Sequence, residues 1–240
     1  MAMSLSTRPI YLQLRDVLTE RIATGHWKPG TAIPNEGDLA REFGVSPGTM
    51  RKALTMMEDE RLVDRRQGRG TFVNDPASET LALRYSNIRG ADGARISGEI
   101  RATGITQGVA NEQECERLRL TKQDPVYRVR RVRVRDEQPF MVEDASMPAA
   151  LFPGLANGNG HVHSHRIAAL AQQHGMLLGK AQERVSIGAA PPEIAKTLGI
   201  ATAAPVLLLD RVTQTLDGRP VEWRMSLCNL ADNYYLAEMA

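Results

Sequence analysis

The residues best suited to bind a charged partner are two clusters of cationic side chains near the N-terminus. Arg51 and Lys52 form the first cluster, shortly after the helix-start signal at Ser46 and Pro47. The second cluster surrounds a glycine-rich tip at residues 67–70 and contains Arg65, Arg66 and Arg69. A basic helix fits the major groove of duplex DNA, and a basic hairpin can reach the adjacent minor groove. The pattern therefore favours DNA binding.

The start of the same helix offers donors for phosphate. The hydroxyls of Ser46 and Thr49 lie beside the free backbone N–H groups of the first helical turn, which attract anions. Glycine at positions 68 and 70 would let the hairpin backbone approach a groove closely. An Arg-Lys pair on an ordinary surface helix beside an ordinary glycine turn is the alternative, and these residues alone do not decide between the two.

A third set of arginines alternates with valines in residues 126–135. Arg131 and Arg133 share one face of an extended strand with Tyr127 and Val129, so the apolar face changes sides near Arg130. Either a β-bulge restores the apolar face and the arginines are solvated, or two arginines point into the interior. The rarity of buried arginine favours the solvated alternative.

Three of the five histidines lie close together at positions 161, 163 and 165. His161, His163 and His165 would share one face of an extended segment and could bind a transition metal. A polar loop is the favoured interpretation, because no carboxylate or cysteine lies nearby in the sequence to complete the ligand set. We expect no metal and no other cofactor.

The elements that must position the first two clusters are three helices and a hairpin. Apolar residues recur every three or four positions over residues 9–24, a second short helix is expected over 35–43, and a third over 47–60. Residues 62–66 and 71–73 are expected to be the strands of the hairpin. This order predicts a winged helix-turn-helix within residues 1–75, followed by a polar linker at 76–92.

Residues 93–240 are expected to form a second, α+β domain. Two long hairpins are predicted, with turns at residues 136–139 and 217–220, and short helices lie between the extended segments. Such hairpins imply an antiparallel sheet covered on one face. The predicted strands are 126–135, 140–147, 182–187, 206–216 and 221–230, and the predicted helices are 111–120, 167–174 and 191–198.

Length and composition exclude several classes of protein. The chain has 240 residues, 42% hydrophobic, and a net charge of only +2, so it is neither disordered nor basic throughout. Its two cysteines form no CxxC pair, which fits a reducing cytosol. No apolar stretch suits a signal or a membrane span, and no repeat of 20–50 residues is apparent. We therefore expect a cytoplasmic protein with no membrane partner.

Nearly all of residues 8–73 resemble the DNA-binding domain of GntR-type transcription regulators. The matching motifs are Pro9-Ile10-Tyr11-x-Gln13, Lys28-Pro29-Gly30, Pro34-x-Glu36, Leu39-Ala40-x-x-Phe43-Gly44-Val45-Ser46, Thr49-x-Arg51-x-Ala53-Leu54 and Gly68-x-Gly70-Thr71-Phe72-Val73. The resemblance implies that double-stranded operator DNA is the partner. The residues expected to contact it are Asn35, Glu36, Ser46, Gly48, Thr49, Arg51, Lys52, Arg66, Gln67, Gly68 and Arg69.

Two positions depart from that family pattern. Gly37 and Pro47 stand where relatives commonly place an arginine or another polar side chain that reaches DNA. Arg51, at a position where relatives read bases or backbone, is retained. We expect binding that depends more on backbone and wing contacts than in relatives, with an operator sequence of its own.

The second half resembles the UTRA ligand-binding domain of the HutC branch of that family, over residues 95–235. The matching motifs are Arg131-x-Arg133, Pro139, Glu143, Met147-Pro148, Leu151-Phe152-Pro153-Gly154-Leu155, Leu198-Gly199-Ile200, Pro205-Val206-Leu207-Leu208 and Asp217-Gly218-x-Pro220-Val221-Glu222. The resemblance implies a chorismate-lyase-like fold with a small-molecule pocket. The expected fold is therefore an N-terminal winged helix-turn-helix joined to this antiparallel-sheet α+β domain.

The resemblance also implies roles for residues of the pocket. Relatives that respond to sugar phosphates use the arginines matching Arg131 and Arg133 on an anionic effector, and acidic residues matching Glu143 and Glu222 on ligand hydroxyl or amino groups. An internal Arg–Glu salt bridge is the equal alternative for the acidic pair. Arg224, on the strand of Glu222, and His165, near a ligand-touching segment in relatives, complete the expected effector site.

The sequence thus predicts a homodimeric, ligand-responsive DNA-binding transcription regulator rather than an enzyme. The expected regulator is a repressor released from a pseudo-palindromic operator by a small anionic metabolite. Two alternatives remain open: a metal-responsive regulator using the loop His161–His165, and an enzyme acting on a small anion in the second domain. The sequence lacks a Gly-x-Ser-x-Gly elbow and a phosphate-binding glycine loop, which disfavours the enzyme.

Overall fold

A computed structural model describes residues 8–75, 78, 86–96, 98–155 and 167–238. The chain divides into two compact units, Met1–Pro76 and Ala77–Ala240. The division falls one residue after the predicted end of the first domain. Each unit has its own buried apolar residues.

The first unit contains the three predicted helices and the predicted hairpin. Its elements are α1 (Ile10–Ala23), α2 (Glu36–Phe43), α3 (Pro47–Asp59), β1 (Val63–Arg66) and β2 (Gly70–Val73). The core combines the apolar faces of all three helices, as the spacing of three and four residues requires. Its most deeply buried members include Leu14, Leu18, Leu39, Met50, Leu54 and Met57.

Local capping explains where the second and third helices begin. The Asn35 side chain accepts a hydrogen bond from the Asp38 amide at 2.9 Å and thereby caps α2. Gly44 ends this helix in the left-handed conformation, at φ 63°. Ser46 then caps α3 by accepting from the Thr49 amide at 3.2 Å, and Pro47 occupies the first turn. The short connection fixes α3 relative to α2.

The described strands of the second unit are β3 (Ile88–Arg89), β4 (Glu99–Val109), β5 (Pro125–Arg135), β6 (Gln138–Pro148), β7 (Leu178–Ala189), β8 (Pro205–Thr215), β9 (Pro220–Cys228) and β10 (Tyr234–Tyr235). Six of them form one antiparallel sheet, in the order β4-β5-β6-β9-β8-β7. The described helices of this unit are α4 (Glu112–Leu118), α5 (Ile167–Gln173) and α6 (Pro192–Leu198), with a 3-10 turn at Ala149–Leu151. The two predicted hairpins are the pairs β5–β6 and β8–β9.

This sheet contains an internal repeat that the sequence did not reveal. The order strand, helix, hairpin occurs first as β4-α4-β5-β6 and again as β7-α6-β8-β9. The equivalent helices α4 and α6 both end in a left-handed residue, Arg119 and Gly199. The two halves meet where β6 pairs with β9, and Asp144 lies opposite Met225. The second unit therefore has an approximate two-fold axis between these central strands.

Equivalent positions of the two hairpins carry different charges. Arg131 on β5 lies opposite Glu143 on β6, whereas Arg211 on β8 lies opposite Arg224 on β9. All four side chains are buried. The two hairpins thus bring charged side chains into the sheet interior from both halves of the repeat.

Two sequence expectations need correction. The segment Glu99–Val109 was not predicted as a strand but is β4, one edge of the sheet. The predicted linker at 76–92 extends too far, because Ile88–Arg89 pairs with Tyr234–Tyr235 and Ile88 is buried. Residues 86–92 consequently pack in the second unit, and the predicted domain start at 93 is too late.

Candidate functional site

The third helix of the first unit presents a cationic surface beside the wing. Arg51 is 67% exposed, and its guanidinium forms two hydrogen bonds with the Glu36 carboxylate, at 2.8 and 3.2 Å. The hydrogen bonds that Arg51 donates to Glu36 raise the pKa of Arg51. The structure therefore brings together two residues that the sequence assigned to DNA contact, and it places them against each other.

The neighbouring predicted DNA contacts have structural partners as well. Lys52 lies 3.9 Å from the centre of the Tyr11 ring, a cation–π distance. Ser46 and Thr49 share a hydroxyl–hydroxyl hydrogen bond of 2.8 Å at the start of α3. Gly48 and Asn35 are exposed on this side of the unit. Arg65, outside the predicted set, donates to the Arg51 carbonyl at 3.2 Å and ties the wing to α3.

The wing tip is exposed from Arg66 to Gly70. Arg66 is held by Asp64, at 3.0 Å, and lies over the Phe72 ring at 4.4 Å. Gln67, Gly68 and Arg69 form the turn, and Gly68 and Gly70 have positive φ angles of 69° and 106°. The turn therefore requires these glycines, and it leaves the side chains of Gln67 and Arg69 available to a partner.

The second unit contains a buried cluster of opposite charges on one face of the sheet. Arg131 is 2% exposed, and its Nη1 donates to Glu222 Oε1 at 3.1 Å. Arg133 donates to Glu143 at 2.9 Å, and Arg224 lies 3.3 Å from the same oxygen. The strand pattern alone favoured solvated arginines, and that expectation is wrong: Arg131 is buried and the Arg133 side chain is only 15% exposed. Carboxylates from two other strands, Glu143 on β6 and Glu222 on β9, make their burial tolerable.

A cavity of about 60 Å³ opens onto this cluster, which at roughly 15 Å³ each is room for about four waters. Its charged walls are Arg131, Arg133, Arg211, Arg224 and Glu143. Its apolar walls include Ile88, Ile96, Ile100, Phe140, Met141 and Leu209. Concave sites with apolar walls and a few convergent polar groups are typical of small-molecule binding.

The charges in the cluster shift one another's ionisation. Burial alone would raise the pKa of Glu143, but attraction to Arg133, Arg224 and Arg131 outweighs it and lowers that pKa to about 2. Burial lowers the pKa of Arg224, but the three carboxylates around it outweigh this effect, so the net direction is upward. Glu143 is therefore ionised at every physiological pH.

Several buried polar atoms of the cluster have no hydrogen-bond partner among the residues that the structure describes. They are Arg131 Nη2, Glu143 Oε2, Thr213 Oγ1, Glu222 Oε2 and Arg224 Nε. Buried polar atoms are normally paired, because an unmade hydrogen bond costs about 1–3 kcal/mol. The unpaired atoms include donors and acceptors, so the cluster can bind a ligand that carries both an acceptor and a donor group.

The sequence analysis did not identify three residues of this region, and one residue that it did identify lies outside the described part of the chain. Arg211, Glu183 and Tyr235 were not predicted, and Arg211 lines the cavity. The available signal was the equivalence of Arg211 and Arg131, hidden by the low similarity of the two halves. His165 and the loop His161–His165, whose metal binding was the less favoured alternative, lie outside the described residues, so the role of His165 stays a prediction and the metal alternative stays open.

Comparison with known proteins places both halves of the chain in recognised families. Residues 99–233 match the model of the UTRA domain, and residues 10–73 match that of the bacterial regulatory proteins of the gntR family. Within the described residues, no helix is both long and apolar enough to cross a bilayer.

Individual relatives match over most of their length. The chain is 28% identical over 229 residues to the mannosyl-D-glycerate transport/metabolism system repressor MngR of Escherichia coli K12, covering 94% of this chain and 93% of that protein. It is 26% identical over 206 residues to the histidine utilization repressor of Pseudomonas putida, covering 85% and 82%. The crystal structure of PhnF from Mycobacterium smegmatis superimposes with a TM-score of 0.56 at 25% identity, covering 94% and 98%.

Proposed function

This chain belongs to the GntR family of bacterial regulatory proteins and carries the UTRA domain, and from that premise we propose a homodimeric, cytoplasmic repressor that a small anion releases from operator DNA. Two of the relatives named above, MngR and the histidine utilization repressor, are repressors, which favours a regulator over the enzyme alternative. The single observation that carries the effector part of the proposal is the buried arginine cluster at the cavity.

The DNA-contacting part of the proposal rests on α3 and the wing. In the free protein, Glu36 occupies the guanidinium of Arg51 in a bidentate pair. A base edge or phosphate offers the same acceptor geometry, so Arg51 can exchange Glu36 for DNA at small cost. The exposed wing residues Gln67 and Arg69 supply contacts in the adjacent groove. Asn35, Ser46, Gly48, Thr49, Lys52 and Arg66 surround these contacts.

The charge balance of the cluster supports an anionic effector. Among the described residues of the cluster, four arginines, Arg131, Arg133, Arg211 and Arg224, lie beside three carboxylates, those of Glu143, Glu183 and Glu222. Cationic groups therefore outnumber carboxylates in the cluster, and a bound anion would offset their mutual repulsion. The unpaired carboxylate oxygens of Glu143 and Glu222 would accept hydrogen bonds from a hydroxyl or amino group of the same ligand.

Release follows from symmetry. A two-fold dimer reads both half-sites of a pseudo-palindrome together, so an effector that changes the separation of the two DNA-binding domains weakens both contacts at once. Coupling of this kind is reciprocal, and operator DNA would lower the affinity for the effector by the same factor.

The test is selection of random duplex DNA by the full-length protein, followed by anisotropy titration of the selected sequence at several salt concentrations. A two-fold motif with a steep salt dependence is expected. Inorganic phosphate and a panel of phosphorylated and carboxylated metabolites are then titrated into the complex.

A matched pair of variants makes this test specific to the cluster. Arg131→Met should abolish release by any active anion, whereas Arg130→Met, next on β5 but exposed and paired with Asp144, should leave release intact. Absence of a two-fold motif would refute the dimeric DNA reader. Release that survives Arg131→Met would refute the effector site.

A further inference from the structure

One hydrogen-bonded chain of side chains leads from the cavity to the segment at residues 86–89. Arg211 donates to Glu183 from Nε at 2.7 Å and from Nη2 at 2.5 Å. The other oxygen of Glu183 accepts from the Tyr235 hydroxyl at 2.8 Å. The Asn87 side-chain amide donates to that hydroxyl at 2.9 Å. Four side chains from four different segments are therefore connected without a gap.

At the cavity, this series of hydrogen bonds ends at Arg211, which lines the cavity wall. Arg211 occupies in β8 the position that Arg131 occupies in β5, and each arginine is held by one glutamate, Glu183 and Glu222 respectively. Arg224 lies directly opposite Arg211 across the strands, and like charges so placed repel. An anion in the cavity would offset this repulsion and would thereby alter the forces that act on the Arg211 side chain.

The other end of the chain is the first continuous stretch of the second unit that the structure describes. Ser86, Asn87 and Ile88 also line the cavity. The Leu236 amide donates to the Asn87 carbonyl at 2.8 Å, and the Ile96 amide donates to the Ile88 carbonyl at 2.9 Å. In the sequence, this stretch follows the connection to the first unit, which ends at residue 76. A change in the packing of residues 86–89 would therefore act on the part of the second unit that is nearest in sequence to the first.

We propose that Arg211 is a further effector-contacting residue and that Tyr235 is its positioning residue, which connects the Arg211–Glu183 pair to Asn87. The proposal rests on the proposed function for the existence of an effector, but the connection itself exists in the free protein. Binding of an anion at Arg211 changes its hold on Glu183. Tyr235 transfers that change to the segment at 86–89.

The first experiment needs no ligand. Amide hydrogen exchange of the full-length protein is measured by mass spectrometry for wild type, Arg211→Met, Tyr235→Phe and the double variant. Each single change should accelerate exchange at the Ile96 and Leu236 amides about fivefold, the effect of losing one hydrogen bond. The double variant should show no more than the larger single effect, because both changes break one chain.

Controls separate this connection from simple loss of packing. Tyr234→Phe, on the same strand but 43% exposed, should leave both amides unchanged. If Arg211→Met does not fold, Glu183→Gln takes its place, because it keeps the shape and removes the charge. Additive effects in the double variant, or equal effects of Tyr234→Phe and Tyr235→Phe, would overturn the proposal.

A second experiment adds inorganic phosphate. Phosphate should slow exchange at the Ile96 and Leu236 amides in wild type but not in Tyr235→Phe, although it still protects amides of β5 near Arg131 in both. Equal slowing of Ile96 and Leu236 in both proteins would overturn the role of Tyr235. Protection nowhere in wild type would count against the anionic effector instead, and the ligand-free cycle would decide the connection by itself.

Discussion

Removal of the Glu143 charge should destabilise the second unit by an amount that the structure allows us to calculate. The pKa of Glu143 falls from 4.5 to about 2 on folding, because Arg133, Arg224 and Arg131 outweigh the effect of burial. A shift of about 2.5 units corresponds to about 3 kcal/mol of unfolding free energy. We therefore expect Glu143→Gln to lose about 3 kcal/mol at pH 7, as when one partner of a buried ion pair is removed.

The pH dependence provides the sign of the effect. A carboxylate whose pKa is lowered by folding stabilises the protein above its unfolded pKa, and that contribution disappears as pH falls towards the folded value. Wild type should thus lose about 2 kcal/mol more than Glu143→Gln between pH 7 and pH 3. Other carboxylates titrate in both proteins, so their contribution cancels in the difference.

Urea unfolding followed by tryptophan fluorescence measures both quantities. Trp27 lies in the first unit and Trp223 in the second, so a Trp27→Phe background restricts the signal to the second unit. Asp144→Asn is the matched control, because Asp144 follows Glu143 on β6 but forms an exposed pair with Arg130. It should cost less than about 1 kcal/mol. A loss below about 1 kcal/mol for Glu143→Gln, or an unchanged pH dependence, would refute the electrostatic account of the cluster.

Three further predictions concern the DNA-binding surface and the sheet. Arg51→Ala should weaken operator binding by about 1–3 kcal/mol in anisotropy titrations, with Arg130→Ala as a control in the other unit; unchanged affinity would remove Arg51 from the interface. Gly37→Arg should strengthen operator binding and raise the salt slope by about one, because an added arginine can neutralise one more phosphate. The position has room for a side chain, since a Cβ there would lie 3.4 Å from its nearest neighbour, Asn35 Oδ1. A constant slope would show that this face does not meet DNA. Gly98→Ala should lower the unfolding free energy by about 1–3 kcal/mol, since φ is +65° and the new Cβ would lie 2.6 Å from Phe140, while Gly104→Ala has open space and should cost less; equal losses would contradict this account.

The helices of the first unit were predictable because their signals are local. The spacing of Leu14 and Leu18, the caps Asn35 and Ser46 and the stop at Gly44 all act within one or two turns. The two hairpins were predictable for the same reason, since turn-forming residues separate two extended segments in each of them. Their observed bounds differ from the predicted ones by only a few residues.

The formation of strand β4 and the burial of the arginines on β5 depend on residues that are distant in the sequence. Glu99–Val109 is an exposed edge strand whose residues include glycine and threonine, so it lacks an apolar alternation. Arg131 is buried and Arg133 is largely covered because Glu143 and Glu222 pair with them from other strands, and Glu222 lies 91 positions after Arg131. No pattern within residues 126–135 contains that information, and burial statistics therefore favoured the wrong alternative.

The internal repeat was not apparent from the sequence because the two halves pack their equivalent helices onto the sheet with different types of side chain. Glu114 on α4 is buried in a hydrogen-bonded group with Arg128 and Ser146. The corresponding helix α6 buries Ile194 and Leu198 in an apolar cluster instead. Shape was retained while residue type diverged, and a search for similar letters has little to detect.

The approximate symmetry of the sheet also bears on how a ligand would be oriented. Two identical hairpins around a two-fold axis would present the same face to either end of a guest, which could then enter in two opposite directions. Because Glu143 and Arg224 occupy equivalent positions, the two sides of the axis carry opposite charges at this point. A guest with a negative head and a donor tail would fit in one direction only. The difference between the two halves of the repeat would therefore fix the direction in which such a ligand binds.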